Sequence, residues 1–119
     1  ARIQNGGGIY NDGGVVDLVG MTIKDHVLAL GNARGGAIHN NNGDVTLSRV
    51  SIENNAAYAW GGGIYNAGTL TVLNSTFSGN YALEYGGGIA SFEGSLVVAN
   101  STFYENSASD EGGGNGHGR

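Results

Sequence analysis

At 119 residues the chain has room for one domain, and 24 of those residues are glycine, with no proline and no cysteine. So much glycine without proline or a three-residue period excludes collagen, and the missing cysteines exclude disulfides as a source of stability. A net charge of −5 and a pI of about 4.8 argue against a nucleic-acid or anionic-membrane partner, and no run approaches the ~18 apolar residues that span a bilayer.

The chain opens with Ala1-Arg2-Ile3-Gln4-Asn5, which has the pattern of a closing strand. Gly6-Gly7-Gly8-Ile9 then begins a unit, about residues 6–34, that the rest of the chain repeats. Ile9, then Val16 and Leu18, then Ile23 mark three short apolar stretches separated by Gly, Asn and Asp. The second unit, about 35–60, restarts at Gly35-Gly36-Ala37-Ile38 and puts Val45, Leu47 and Ile52 in the same columns. The third, about 61–85, has Ile64, Leu70, Val72 and Phe77; the fourth, about 86–111, has Ile89, Leu96, Val98 and Phe103. A further start, Gly112-Gly113-Gly114-Asn115, falls in a partial unit at 112–119. Successive isoleucines lie 29, 26 and 25 residues apart. The long first interval marks an insertion near Leu30-Gly31-Asn32, expected as a loop at one edge.

Strands this short hold together only if coiling stacks each unit on its predecessor. The expected fold is all-β: a right-handed parallel β-helix, a solenoid of about four coils of ~26 residues with three short strands per coil, forming one domain over residues 1–119. Ile64, Leu70, Val72 and Phe77 are expected to point inward. Two polar columns fit the same stacking. Asn11, Asn40 and Asn66 align after the first stretch, with Ser91 in the fourth unit. Asn55, Asn80 and Asn106 align after the third, with His26 in the first unit. Amides so placed can hydrogen-bond from coil to coil.

Gly35-Gly36-Ala37-Ile38 resembles the GGA[ILV] motif of the chlamydial polymorphic outer membrane proteins. Phe77-Ser78-Gly79-Asn80 and Phe103-Tyr104-Glu105-Asn106 resemble the FxxN motif paired with it. Ile52-Glu53-Asn54-Asn55 and Ile23-Lys24-Asp25-His26 are variants, and the other three glycine motifs carry Gly where that pattern has Ala. The pattern is also similar to that of large secreted bacterial β-helix proteins. The resemblance implies a β-helix displayed outside the cell, secreted or at the cell surface, with a structural or adhesive role. It implies no catalytic residues, because the repeat in such families is mostly scaffold.

Parallel β-helices also host pectin-degrading enzymes, so a fragment of a polysaccharide-processing, pectin lyase-like enzyme is the alternative. Glycoside hydrolysis needs two carboxylates within about 5 to 9.5 Å. Among the ten acids no two neighbouring units share a column; Asp25 and Glu105 share one, but Asn54 and Gly79 stand between them. His26, His39 and His117 lack metal-ligand spacing. No enzyme activity, metal or cofactor is therefore expected.

Two columns flank the glycine motif as a candidate ligand or partner surface. Arg34, Trp60 and Tyr85 stand four positions before the isoleucines, and Tyr10, His39 and Tyr65 one position after. The second set is expected to face outward if the isoleucines face in, making with the glycines a flat aromatic platform for a glycan or a host or cell-surface protein. Asn74-Ser75-Thr76 and Asn100-Ser101-Thr102 are N-glycosylation sequons, with Asn74 and Asn100 as the acceptor positions. The sequence shows no cap at either end, so the expected partners include other copies of the chain, or neighbouring coils of a longer one, stacked through β-edges.

Overall fold

The computed structural model describes residues 6–28 and 33–109. The opening Ala1-to-Asn5 segment, the Leu30-Gly31-Asn32 insertion and the partial unit at 112–119 lie outside the described residues.

The first coil carries β1 (Ile9–Asp12), β2 (Val15–Val19), β3 (Thr22–Lys24) and β4 (Val27–Leu28). The second carries β5 (Ile38–Ser48), β6 (Ser51–Glu53) and β7 (Ala56–Ala57), and the third β8 (Ile64–Leu73), β9 (Thr76–Ser78) and β10 (Tyr81–Ala82). The fourth carries β11 (Ile89–Ser91), β12 (Ser95–Ala99), β13 (Thr102–Tyr104) and β14 (Ser107–Ala108). No helix occurs among the described residues, and each strand pairs in parallel with its counterpart one coil away. Three sheets result: β1 and β2 with β5, β8, β11 and β12; β3-β6-β9-β13; and β4-β7-β10-β14. The chain is a parallel β-solenoid of about four turns.

Register follows the sequence columns residue by residue. Ile9 pairs with Ile38, Ile38 with Ile64 and Ile64 with Ile89; Leu18, Leu47, Val72 and Val98 form a second row, and Ile23, Ile52, Phe77 and Phe103 a third. The inner residues of the two middle coils, among them Ile64, Leu70, Val72 and Phe77, are fully buried, and Phe77 stacks on Phe103 with ring centroids 4.7 Å apart. Alternation along each strand thus directs one continuous core through the stack.

The strands are divided differently from the three stretches expected. In the two middle coils the first two stretches are one strand, β5 or β8, with a register shift between Asn41 and Asp44. Asn40 holds that irregularity in the sheet, its Nδ2 donating to Gly43 O at 3.0 Å. The polar break is therefore a bulge rather than a corner. The third sheet was not anticipated. Its strands are two residues long, too short to show a period, and include Ala56–Ala57.

Corners are made by left-handed residues in columns. Gly6, Gly35, Gly61 and Gly86 form one; Gly20, Arg49, Asn74 and Asn100 a second; Asp25, Asn54, Gly79 and Glu105 a third. This places the shared column of Asp25 and Glu105 at a turn, where φ is 63° and 57°.

Both asparagine columns form ladders. Asn11 Nδ2 donates to Asn40 Oδ1 at 2.9 Å, Asn40 Nδ2 to Asn66 Oδ1 at 2.8 Å, and Asn66 Nδ2 to Ser91 Oγ at 3.1 Å, all buried within the first sheet. The second ladder runs from Asn55 through Asn80 to Asn106 at the corner between the second and third sheets, with His26 N–H donating to Asn55 Oδ1 at 3.0 Å. A side-chain ladder here supplies acceptors that the turning backbone lacks.

Candidate functional site

Solenoid register brings both predicted surface columns together on the outer side of the first sheet. Tyr10, His39, Tyr65 and Ala90 pair in sequence across β1, β5, β8 and β11. Arg34, Trp60 and Tyr85 pair as isolated parallel bridges just before the left-handed glycines. Each glycine corner then turns the chain so that the second column returns toward the first.

The result is a packed aromatic cluster rather than a flat platform. His39 lies between Tyr10 and Tyr65, with ring centroids 5.0 and 4.9 Å away. Trp60 lies 5.9 Å from Tyr65, edge-on to Tyr85 at 5.1 Å and edge-on to Phe92 at 5.0 Å. The Arg34 guanidinium sits 5.2 Å from the Trp60 ring and 5.1 Å from that of Tyr65, cation–π geometry with both. His39 and Tyr65 were expected to be exposed, yet each is only 5% accessible. Strand alternation does put them on the side opposite the core isoleucines, but the neighbouring rings and Arg34 cover them. Tyr10, at the first coil, remains 50% exposed, while Trp60, Tyr85 and Phe92 are half-buried and form the rim.

Two contributors were not singled out in the sequence. Glu84 Oε1 accepts the Trp60 indole N–H at 2.8 Å and fixes that ring. Phe92 follows Ser91 and lies two positions beyond Ala90, the same alternation that marks Tyr65. That spacing was the available signal.

Burial sets the chemistry of the cluster. Desolvation lowers the His39 pKa from 6.5 to about 4; a hydrogen bond with the Arg34 backbone opposes this, the Arg34 charge reinforces it and Asp12 opposes it weakly. The same desolvation raises the Tyr65 pKa. His39 is therefore neutral at pH 7. The unfolded chain takes up this proton near pH 6.5 and the native chain only near 4, so the His39 contribution is present above pH 6.5 and is lost as pH falls toward 4. His39→Tyr is expected to flatten this part of the pH dependence. Denaturant unfolding of both proteins at pH 7, 5.5 and 4 checks it, and identical pH slopes would show that His39 does not titrate with folding.

The remaining candidates are placed as follows. Asn74 and Asn100 are both exposed at left-handed corners with φ of 51°, whereas Ser75 of the first sequon is buried and donates from Oγ to Leu73 O at 2.9 Å. Among the described residues no three His, Cys, Asp or Glu come together as metal ligands, and no helix is long and apolar enough to cross a membrane. His117 lies outside the described residues. A second outer feature is an apolar groove on the third sheet, lined by Val27, Leu28, Ala56, Tyr58, Tyr81 and Leu83.

Two stretches, residues 49–67 and 74–91, match the Chlamydia polymorphic membrane protein repeat. Each match begins on a left-handed corner, Arg49 or Asn74, passes through the second and third sheets and the glycine corner, and ends in the first sheet. The GGAI and FxxN resemblance seen in the sequence is therefore a resemblance in structural units as well: each match spans an FxxN-type corner, its ladder asparagine and the following glycine motif. No curated protein and no solved structure matches the chain.

Proposed function

We propose that the chain is a module of a secreted or surface-displayed protein, in which stacked coils are scaffold and the aromatic cluster of the first sheet is an adhesive contact. The observation that carries this reading is the match to a repeat named for a Chlamydia membrane protein, falling on coils whose interior is spent on packing and ladders. The rim of Tyr10, Trp60, Tyr85 and Phe92 offers ring surface held in place by Arg34 and Glu84. Rings held in this way suit an extended neutral partner such as a glycan, and the net charge of −5 disfavours a polyanion. The coils themselves pair with neighbouring coils through their strand edges. The reading assigns the chain no catalytic step.

Glycan-array binding by the intact chain is the test, with Tyr10→Ser and Tyr85→Ser as variants on the accessible rim. Binding that falls about tenfold, or ~1.4 kcal/mol, in the variants supports the contact. Binding unaffected by both removes the rim from the site, and depolymerisation of a bound polysaccharide, with or without calcium, overturns the non-catalytic reading.

A further inference from the structure

The groove on the third sheet is a slot with a small floor. Ala56 pairs with Val27 in the coil before it and with Tyr81 in the coil after. All three stand on the outer side, since Ala57 and Ala82 beside them are buried. A single methyl group therefore lies between two larger side chains, and Tyr58 and Leu83 close the slot two positions along. Leu83 N–H donates to Ala57 O as Tyr58 N–H donates to Leu28 O, so the coil-to-coil register continues past the short strands. Val27, Tyr58 and Tyr81 are 66%, 44% and 39% exposed, and large apolar side chains left open together mark a contact.

The chemistry of the slot selects hydrocarbon. Every residue lining it is apolar or aromatic, and none is charged. The backbone beneath is already paired: Ala56 N–H donates to His26 O at 2.8 Å, Tyr58 N–H to Leu28 O at 2.7 Å and Tyr81 N–H to Asn55 O at 2.8 Å. The Tyr81 hydroxyl is paired with Ser109. A sugar or a peptide seated here would leave hydroxyls or amides without partners, a cost that an alkyl chain avoids. Size excludes a second copy of the chain, because seven residues line the slot, against about 20 to 30 per side in a stable interface. A volume of about 280 Å³ is small for a complete ligand site and suits one part of a ligand. Val27 and Tyr81 stand two coils apart, ~10 Å, which an extended chain of roughly eight carbons spans.

The slot adjoins the aromatic cluster. Tyr58 is two residues before Trp60, with buried Ala59 between them, and Leu83 is two residues before Tyr85. Two residues of extended chain cover only ~7 Å, so slot and rim lie within reach of one small molecule.

We propose that the slot is the alkyl subsite of the aromatic contact, and that the partner is a soluble saccharide carrying a hydrocarbon chain of about eight carbons. Trp60 and Tyr85 hold the sugar, and the slot over Ala56 takes the chain. The inference rests on the glycan reading of the aromatic contact and narrows it from glycans in general to alkyl-bearing ones.

Calorimetric titration of the intact chain with methyl glucoside and with octyl glucoside, the latter below its micelle concentration, tests it. Octyl glucoside is expected to bind at least about tenfold more tightly, and to shift the NMR signals of the Ala56 and Leu83 methyl groups. Ala56→Leu fills the slot from an outward position and is expected to bring the two affinities within about twofold of each other. Val27→Ser, at an exposed position, should act in the same direction by removing one wall. Equal affinities for the two glucosides in the wild type, or an octyl advantage that survives both variants, would overturn the proposal. So would an absence of octyl glucoside binding, including the case in which the chain is instead retained on phosphatidylcholine vesicles, which would place the hydrocarbon in a bilayer. The glycan reading fails separately: an octyl advantage that persists while Tyr85→Ser leaves octyl glucoside binding unchanged would remove the rim from the contact and the sugar from the partner.

Discussion

Gly62→Ala is expected to abolish the native fold. A Cβ placed at Gly62 falls 2.4 Å from Tyr81 O, 2.5 Å from Tyr81 N and 2.5 Å from Gly87 O. All three are backbone atoms, those of Tyr81 on the third sheet of the same coil and that of Gly87 in the fourth coil, so no rotamer change makes room. Relief requires pushing the third and fourth coils apart where Gly62 N–H donates to Gly86 O at 3.0 Å, and displacing β10 from the second coil where Tyr81 N–H donates to Asn55 O at 2.8 Å. Gly36 repeats the constraint, with Gly62 O at 2.2 Å from its would-be Cβ. The cost should exceed about 4 kcal/mol, a large share of what a domain of this size holds in reserve. Gly13→Ala provides the contrast. Gly13 has a φ of 80° but nothing within 4 Å, so it should cost only about 1 kcal/mol of backbone strain. Circular dichroism and denaturant unfolding separate the two cases, and a Gly62→Ala protein melting close to wild type would mean that the coils are stacked more loosely than described.

The same glycines show why much of the fold was legible in the sequence. A repeat of about 26 residues forces each column to meet one environment in every coil, so constraints acting on one residue are written four times. Ile9, Ile38, Ile64 and Ile89 pair in the structure as they align in the sequence, and so do the two asparagine columns. Legibility failed where a segment was too short or a neighbour came from elsewhere. Tyr81–Ala82 and its partners form a sheet from two-residue strands, over which no period can be read. The Ser75 and Ser101 acceptors serve corners, where side-chain alternation gives no guidance.

The aromatic site was legible by half. Column alignment correctly grouped Tyr10 with His39 and Tyr65, and Arg34 with Trp60 and Tyr85. Alternation gives the side of a strand on which a residue stands, not what folds over it. The covering of Tyr65 by Trp60 and Arg34 depends on the path through a glycine corner, and the Phe92 contact on the path after Ser91. Ladder residues differ from these in having partners fixed by the repeat alone, so their energetic weight can be argued directly.

Asn80→Ala is expected to destabilise the chain by about 3 to 5 kcal/mol, more than any exposed corner substitution, because the side chain joins three successive coils. Its Oδ1 accepts from Asn55 N–H and Asn55 Nδ2, while its Nδ2 donates to Ile52 O at 2.9 Å and Asn106 Oδ1 at 2.8 Å. Asn80 and Asn55 are fully buried, so water cannot replace what alanine removes, and each orphaned interior group costs ~1 to 3 kcal/mol. The contributions share one network and will not add fully. Asn54→Ala tests the corner without the ladder: Asn54 is exposed with φ of 54°, and its loss should cost below about 1 kcal/mol. Asn80→Asp separates the two halves of the amide, since a carboxylate keeps the acceptors but turns bare oxygens toward Ile52 O and Asn106 Oδ1. Protonating that carboxyl restores one donor, so its native pKa would be raised and the defect of Asp at this position relative to wild type should shrink as pH falls from 7 to 4. Denaturant midpoints for the three variants decide the matter. If Asn80→Ala loses no more stability than Asn54→Ala, the ladder is a consequence of coil stacking and not one of its causes.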